Sequence, residues 1–250
     1  MNRTRLPLSL LPVMLGLAAC TLSPLSRKIK VGEEPMVVFV ATANNEWTDL
    51  FATRPVGGEV VQLTFTRLRE SMPRLTSHGE VVAFVRTRGE EPGEDLVVMN
   101  LLNGAERLLE LPPEAGRIAG LGWSSDDAWV FVRSDNGYWR VAAPPATLTV
   151  DLLGGADTAT AHAATMVQLG RPAFATATVC DSGGICITGP SGVPASISAE
   201  GSAPFRWGSD SVAWIENGTI VVRSLGPGAA RRIEIGPNAD GIREAAYAQP

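Results

Sequence analysis

The two histidines, His78 and His162, are the first residues to consider for catalysis or metal binding, because imidazole can transfer protons and ligate metals near neutral pH. His78 lies in the turn-like stretch 76–79, and the corresponding stretch 124–127 carries only serines and aspartates. His162 lies in an alanine- and threonine-rich connector without Cys, His or acidic residues at the spacing of a metal site. We therefore expect His78 to be a solvated turn residue, and we expect neither histidine to be catalytic or to bind a metal.

Two serine motifs could suggest acyl-transfer chemistry. Ser134-Asp135-Asn136 matches a motif of β-lactamases, but the companion patterns Ser-x-x-Lys and Lys-Thr-Gly are absent from the sequence. Ser191 lies in the stretch 189–192, which lacks the Gly-x-Ser-x-Gly spacing of a nucleophile elbow. The sequence also contains no phosphate-binding glycine loop and no dinucleotide fingerprint. We expect a protein that is not an enzyme and that uses no cofactor.

Cys20 follows a typical export signal. Arg3 and Arg5 form a charged start, and residues 6–17 form an apolar stretch that is too short for a membrane span. The sequence Leu17-Ala18-Ala19-Cys20 resembles the lipobox of bacterial lipoproteins. That resemblance implies a signal peptide of residues 1–19, cleaved before Cys20, and a lipid anchor on the Cys20 sulfur. Several acyl chains hold a protein stably on a membrane, whereas one chain binds only marginally.

Residues 20–35 follow as a polar, proline-bounded stretch without periodicity, which we interpret as a tether. Thr21 stands where lipoproteins retained in the inner membrane of Gram-negative bacteria carry Asp, so the resemblance favours the outer membrane, facing the periplasm. Cys180 and Cys186 flank the turn of one predicted hairpin. In an oxidising periplasm we expect them to form a disulfide, which leaves Cys20 free for the lipid.

Residues 36–250 are predicted to form one all-β domain. Short apolar runs alternate with breaks rich in Gly, Pro and acidic residues, and the stretch 72–111 has counterparts elsewhere in the chain. Five four-stranded sheets can be counted, of which the sheet at about 164–198 is degenerate. The stretch 242–247 resembles an entering strand, and we expect it to complete the first sheet and close a ring.

The repeat resembles that of the TolB-like family of β-propellers. The supporting motifs are Trp-Ser-x-Asp at 123–126, Asp-Leu-x-Val-Met-Asn at 95–100 and Asn-Gly followed by Leu at 103–109. Evidence of this kind covers residues 36–247, weakly between 153 and 203. The resemblance implies a WD-repeat-like propeller whose family members usually have six blades, so five is a departure and six stays an alternative. A shared blade predicts a fold and not an activity.

Asp126, Asp127 and Asp210 follow tryptophans at equivalent turns. They could ligate calcium, but we favour turns stabilised by the aspartate side chains, because no single loop supplies the clustered oxygens that calcium needs. Trp47 follows the polar residues 44–46 and is our candidate for an exposed contact with a partner. Four other tryptophans are expected to pack between sheets rather than to bind carbohydrate: Trp123, Trp129, Trp207 and Trp214.

Charge limits the class of partner. The chain has 21 Lys and Arg against 26 Asp and Glu, a formal net charge of -5, which makes nucleic acid a poor ligand. A monomeric, non-enzymatic scaffold that binds an envelope protein or an extended peptide is the expected function. The alternative is a protein that binds a small molecule or glycan in the central channel, in one version with lytic activity.

Overall fold

Strands and glycine-containing turns alternate along almost the whole chain in the computed structural model, which describes residues 25, 28–43, 47–89, 92–171, 174–233, 235 and 240–250. The predicted signal peptide 1–19 and Cys20 lie outside the described residues. Each four-stranded antiparallel sheet is called a blade here, and the five blades follow one another in chain order.

The first two blades contain the stretch with the clearest repeat. Blade 1 begins with β1 Met36–Ala43, β2 Trp47–Thr53 and β3 Val61–Gln62. Blade 2 contains β4 Glu70–Leu75, β5 Val81–Thr87, β6 Glu94–Asn100 and β7 Glu106–Leu109, and a 3-10 turn at Pro113–Ala115 leads out of it. Blade 2 thus confirms the four-stranded sheet predicted around the stretch 72–111.

The remaining blades follow the same plan. Blade 3 contains β8 Ile118–Trp123, β9 Trp129–Ser134, β10 Gly137–Ala142 and β11 Val150–Leu152. Blade 4 contains β12 Val167–Arg171, β13 Phe174–Val179, β14 Ile185–Thr188 and β15 Pro194–Ser198. Blade 5 contains β16 Ser202–Trp207, β17 Ser211–Glu216, β18 Thr219–Ser224 and β19 Arg231–Ile233.

The last strand, β20 Asp240–Ala248, does not extend blade 5. It pairs antiparallel with β1, with Val37 opposite Tyr247 and Phe39 opposite Ala245, and so supplies the fourth strand of blade 1. The protein is therefore a closed five-bladed β-propeller, as the sequence predicted. The edge of β1, which would otherwise be an unpaired row of N–H and C=O groups, is covered.

The apolar core is divided into clusters that lie between neighbouring blades. Successive residues of a strand point to opposite faces, so β1 serves two clusters. Met36, Val38 and Val40 pack towards blade 2, whereas Val37 and Phe39 pack towards blade 5. Further clusters join blade 2 to blade 3 and blade 4 to blade 5.

The junction of blades 3 and 4 is built differently. None of the four apolar clusters among the described side chains joins these two blades. Helix α1 Ala156–Thr165 lies there instead, in the segment predicted to be a connector, and contacts β8, β9, β10 and β12. This helix corrects the interpretation of the segment that contains His162.

The segment predicted as a tether is also partly packed. Leu25 is fully buried and Ile29 is 4% exposed, and both belong to the cluster between blades 1 and 2. Two apolar side chains that precede the predicted domain start at residue 36 therefore contact the ring. Over the part of the chain that the structure describes, no helix is long and apolar enough to cross a membrane.

Candidate functional site

One cavity opens where four strands end near the axis of the ring. Three of these inner strands, β4, β8 and β16, are the first strands of blades 2, 3 and 5. The fourth, β20, is the last strand of the chain but occupies the same edge position in blade 1. The cavity, called the main pocket here, has a volume of about 610 Å³. Its lining includes Arg74, Trp123, Asp127, Phe205, Arg206 and Tyr247.

A second cavity of about 330 Å³ adjoins the main pocket. This side cavity is lined by earlier residues of the same inner strands, among them Met72, Ala119 and Glu244, and by Arg133 of β9. Arg74 lines both cavities, as do Met166, Val167 and Ala245. The two cavities therefore follow one another along the centre of the propeller.

Arg74 is held in place at the boundary between the two cavities. Its Nε donates to the carbonyl oxygen of Leu121 at 3.0 Å, and its Nη1 donates to that of Pro73 at 2.8 Å. Burial lowers the pKa of the Arg74 guanidinium, and the nearby Glu244 carboxylate partly offsets this effect. The Trp123 indole N–H donates to the Arg74 carbonyl oxygen at 2.9 Å, which ties blade 3 to blade 2 beside the main pocket.

Glu244 is positioned by backbone as well as by charge. The backbone N–H of Met72 donates to Glu244 Oε2, and Met72 has a left-handed φ of 54°. The register of β4 with β5 shifts between Ser71 and Arg74, which accommodates this irregular residue. The bulge brings the backbone of β4 and the Glu244 carboxylate of β20 together between the neighbouring blades 1 and 2.

The rim of the main pocket carries polar groups with local partners. Asp127 accepts hydrogen bonds from the Ser77 backbone N–H at 3.1 Å and from the Ser77 hydroxyl at 2.6 Å. This contact links the corresponding turns of blades 2 and 3. Arg206 Nε donates to the carbonyl oxygen of Gly208 at 2.7 Å, and the side chain is exposed.

Four aromatic side chains line the main pocket, but most of their surface packs against the protein. Phe131 and Phe205 are buried, and Tyr247 stacks on Trp207 with ring centroids 4.5 Å apart. Trp123 is half-buried and belongs to the cluster between blades 2 and 3. The aromatic residues therefore shape the pocket wall while they join the blades.

Helix α1 forms another wall of the main pocket. Thr160, Ala163 and Ala164 line the cavity, and the carbonyl oxygen of Ala164 lies 2.1 Å from the position that a Cβ on Gly122 would occupy. Only glycine permits this approach of helix backbone to β8. Ala161 and Thr165 are the buried residues of the helix.

The predicted contact residue Trp47 lies elsewhere. It is the first residue of β2, is half-buried and pairs with Ala43, whereas residues 44–46 lie outside the described residues. It lines neither cavity described above. Its role as a partner contact stays a prediction.

The predicted disulfide is present. Cys180 and Cys186 are bonded, with Cα atoms 5.2 Å apart, across the hairpin of β13 and β14. Neither cysteine lines the main pocket or the side cavity. The bond is therefore a structural staple of blade 4.

The other predicted residues act mainly in turns and packing. His78 is exposed in its turn, and the Nδ1 of His162 on α1 lies 2.7 Å from the Tyr138 hydroxyl. Asp126 accepts from the Ser124 hydroxyl at 2.6 Å and from the Ala128 N–H at 3.2 Å, as expected of a turn aspartate. No group of three or more His, Cys, Asp or Glu residues able to hold a metal is found among the described residues.

Three of the four tryptophans assigned to packing lie in clusters between blades, namely Trp123, Trp207 and Trp214. Trp129 does not. It is half-buried, and the Arg140 guanidinium of its own blade lies 4.7 Å from its ring centroid. Its position within one blade corrects the prediction for this residue.

A buried polar network lies at the junction of blades 1 and 2. The fully buried Glu70 side chain accepts from the Leu50 N–H at 3.2 Å and from the Thr64 hydroxyl at 2.5 Å, and it pairs with Arg86 at 2.7 Å. Asp49 lies beside it and accepts from Gln62 Nε2 at 2.8 Å. Burial raises the pKa of both carboxyl groups. Because these hydrogen bonds and the ion pair are made inside the junction, the network is structural.

Sequence reasoning missed Arg74, Arg133 and Glu244. A signal was present for Arg74 and Glu244, because each is a charged residue on the inner-edge strand of its blade, whereas Arg133 lies on β9, the second strand of blade 3. In a closed ring, the inner strands have a face that points into the channel, and charged residues can be accommodated there.

Comparison with known proteins gives a fold likeness only. No family model and no curated protein matches the chain. Among solved structures, a protein from Agrobacterium tumefaciens assigned as a TolB is 15% identical with a TM-score of 0.41, covering 82% of this chain and 63% of its own. TolB from Acinetobacter baumannii is 9% identical with a TM-score of 0.45, covering 86% and 67%. The tricorn protease is 15% identical with a TM-score of 0.40, covering 78% and 22%. The chain thus spans less than two thirds of the length of the first of these proteins.

Proposed function

We propose that the protein is a non-enzymatic binding scaffold of the bacterial cell envelope, which receives a protein partner or an extended peptide at the main pocket. The observation that carries this proposal is the pocket itself. It is an opening of about 610 Å³ at the centre of a closed ring, with apolar walls and arginines at its boundary and rim. Such a concave site with few polar groups is typical of ligand binding.

The walls of the pocket suit a scaffold because they are preorganised. Arg74 is fixed by two backbone carbonyl groups, and Asp127 joins two blades through Ser77. A rigid site loses little conformational entropy when a ligand binds. The exposed Arg206 at the rim can meet an acidic or polar group of a partner.

We also propose that a lipid on Cys20 anchors this scaffold to the outer membrane, facing the periplasm. The packing of Leu25 into the ring limits the reach of such an anchor. Five residues of extended chain span at most about 18 Å. The propeller would therefore sit close to the membrane surface.

Crosslinking in whole cells tests the proposal. The lipidated protein should capture a discrete envelope partner, and the Cys20→Ser form should lose that partner. Arg206→Glu should weaken capture through the main pocket, whereas Arg117→Glu should not, because Arg117 is an exposed arginine outside both described cavities. Unchanged capture by the Arg206→Glu and Cys20→Ser forms would contradict the proposal.

A second candidate is a small molecule or glycan bound in the channel. It is favoured by the convergence of aromatic and charged residues at one mouth, where Trp123 and Tyr247 are half-buried next to Arg74 and Asp127. Soluble glycan fragments should then raise the melting temperature of the protein, and Trp123→Ala should abolish the shift. Shortening of the fragments during incubation would support the lytic version.

A further inference from the structure

The charges that line the side cavity do not balance. Arg74 and Arg133 contribute two positive charges, and Glu244 contributes one negative charge. Among the described residues that line this cavity there is no other Asp, Glu, Lys, Arg or His. The excess of one positive charge in this concave site favours an anion of single charge, because a cleft lined by charge of one sign attracts ions of the opposite sign.

Arg133 is the less satisfied of the two arginines. Its Nη2 donates to the carbonyl oxygen of Ala119 at 2.8 Å, but its Nε is buried without a hydrogen-bond partner. It is the one buried side-chain nitrogen or oxygen in that condition among the described residues. A buried donor without an acceptor costs free energy, which a ligand oxygen would recover once the guanidinium turns towards it.

The backbone near Arg133 leaves room for the guanidinium. Gly120 lies opposite Arg133 in the pairing of β8 with β9. A Cβ on Gly120 would lie 3.3 Å from Arg133 Nε, so a larger residue would crowd the group. The glycine thus lets the guanidinium occupy the wall of the side cavity.

We propose that the side cavity binds a singly charged carboxylate, carried by a peptide terminus or by a small molecule, with Arg133 as its main partner. The planar guanidinium matches a carboxylate in geometry as well as in charge. Arg74 supplies the second positive charge, and Glu244 disfavours ligands of higher negative charge. This inference deepens the proposed binding function and rests on it for its biological setting.

Equilibrium dialysis with the purified full-length chain in detergent tests the site. The probe is a dansylated tetrapeptide of two glycines followed by two alanines, compared with the same peptide ending in a carboxamide. We expect the free acid to bind at least about tenfold more tightly than the carboxamide, as a lost charge-assisted hydrogen bond predicts. Arg133→Gln should remove that difference, whereas Arg117→Gln, with a side chain that is 75% exposed, should keep it.

Glu244→Gln provides a second test, in which the affinity for the free acid should rise rather than fall. It removes the one carboxylate among the described lining residues while it keeps an acceptor for the Met72 N–H, so this variant should bind the free acid more tightly than the wild type does. Competition by acetate at similar concentration would identify a small-molecule carboxylate as the ligand, and discrimination against acetate would identify a peptide terminus. Equal binding of acid and carboxamide, or no gain in Glu244→Gln, would overturn the inference. Because dialysis needs no cellular partner, its outcome is separate from that of the crosslinking experiment.

Discussion

Among single residues, Glu70 is predicted to contribute most to the junction of blades 1 and 2. Glu70→Ala would leave the Leu50 N–H and the Thr64 hydroxyl without this acceptor and would remove a buried charge partner of Arg86. We expect the free energy of unfolding to fall by about 3–5 kcal/mol, as for other broken buried ion pairs. Urea denaturation at neutral pH measures the change.

Glu106→Ala is the matched control for this substitution. Glu106 binds the same arginine, with Oε2 2.6 Å from Arg86 Nη1, but its side chain is 32% exposed. Solvent screening limits the expected cost to about 1 kcal/mol or less. Equal losses of unfolding free energy in Glu70→Ala and Glu106→Ala would show that the contribution of Glu70 to stability does not come from its burial.

The raised pKa of Glu70 also predicts a pH dependence. Burial raises the pKa of this carboxyl group above its ordinary value of 4.5, so the folded protein takes up the proton at a higher pH than the unfolded chain does. The stability linked to this proton is fully present below 4.5 and is lost as the pH rises through the folded pKa. Glu70→Gln cannot titrate, so its deficit relative to the wild type should be larger at about pH 5 than at about pH 7. Parallel stability curves for the two proteins between these values would contradict the assignment.

Among the secondary-structure elements, α1 depends on one glycine. In Gly122→Ala the new Cβ would meet the Ala164 carbonyl oxygen at 2.1 Å, so the helix must move away from β8 and from the main pocket. We expect a loss of about 1–3 kcal/mol in the free energy of unfolding, typical of overpacking. Gly154→Ala is the control, because no atom lies within 4 Å of its Cβ position and it should change stability little. A Gly122→Ala protein as stable as the control would argue against the close contact.

Strands could be predicted from the sequence where the environment imposes a simple pattern. In β1 residues 36–41 are all buried, and in β5 residues 82–85 are buried, so each strand reads as an apolar run. Turns such as Asn136-Gly137 separate these runs, and together the two features located the blades. Helix α1 gave no such pattern, because only Ala161 and Thr165 are buried and small side chains produce little periodicity. The helix is recognisable only from the gap that it fills between blades 3 and 4.

The candidate site could not be predicted in the same way. Arg74, Arg133 and Glu244 lie on strands that are far apart in the sequence, and they meet only because the ring closes. Their chemistry comes from the balance of charges across the channel, which no local spacing encodes. In contrast, the disulfide of Cys180 and Cys186 spans one hairpin and could be predicted from local sequence.

For the whole molecule, the closing strand links the fold to both cavities. β20 pairs with β1 and places Ile242 and Ala245 in the cluster between blades 5 and 1. The same strand contributes Glu244 to the side cavity and Tyr247 to the main pocket. Closure of the ring and formation of the candidate site are therefore one structural event.

Deletion of residues 240–250 should consequently abolish both closure of the ring and formation of the candidate site. Without β20, the buried strand β1 becomes an edge with unpaired backbone groups, which favours association between chains. We expect loss of cooperative thermal unfolding by circular dichroism and aggregates by size-exclusion chromatography, together with loss of peptide binding. Deletion of only Gln249 and Pro250, which are exposed and lie beyond β20, should preserve folding and binding. A monomeric, cooperatively unfolding protein without β20 would show that blades 1 to 5 hold together without closure. Closure of the ring and formation of the candidate site would then not be one structural event.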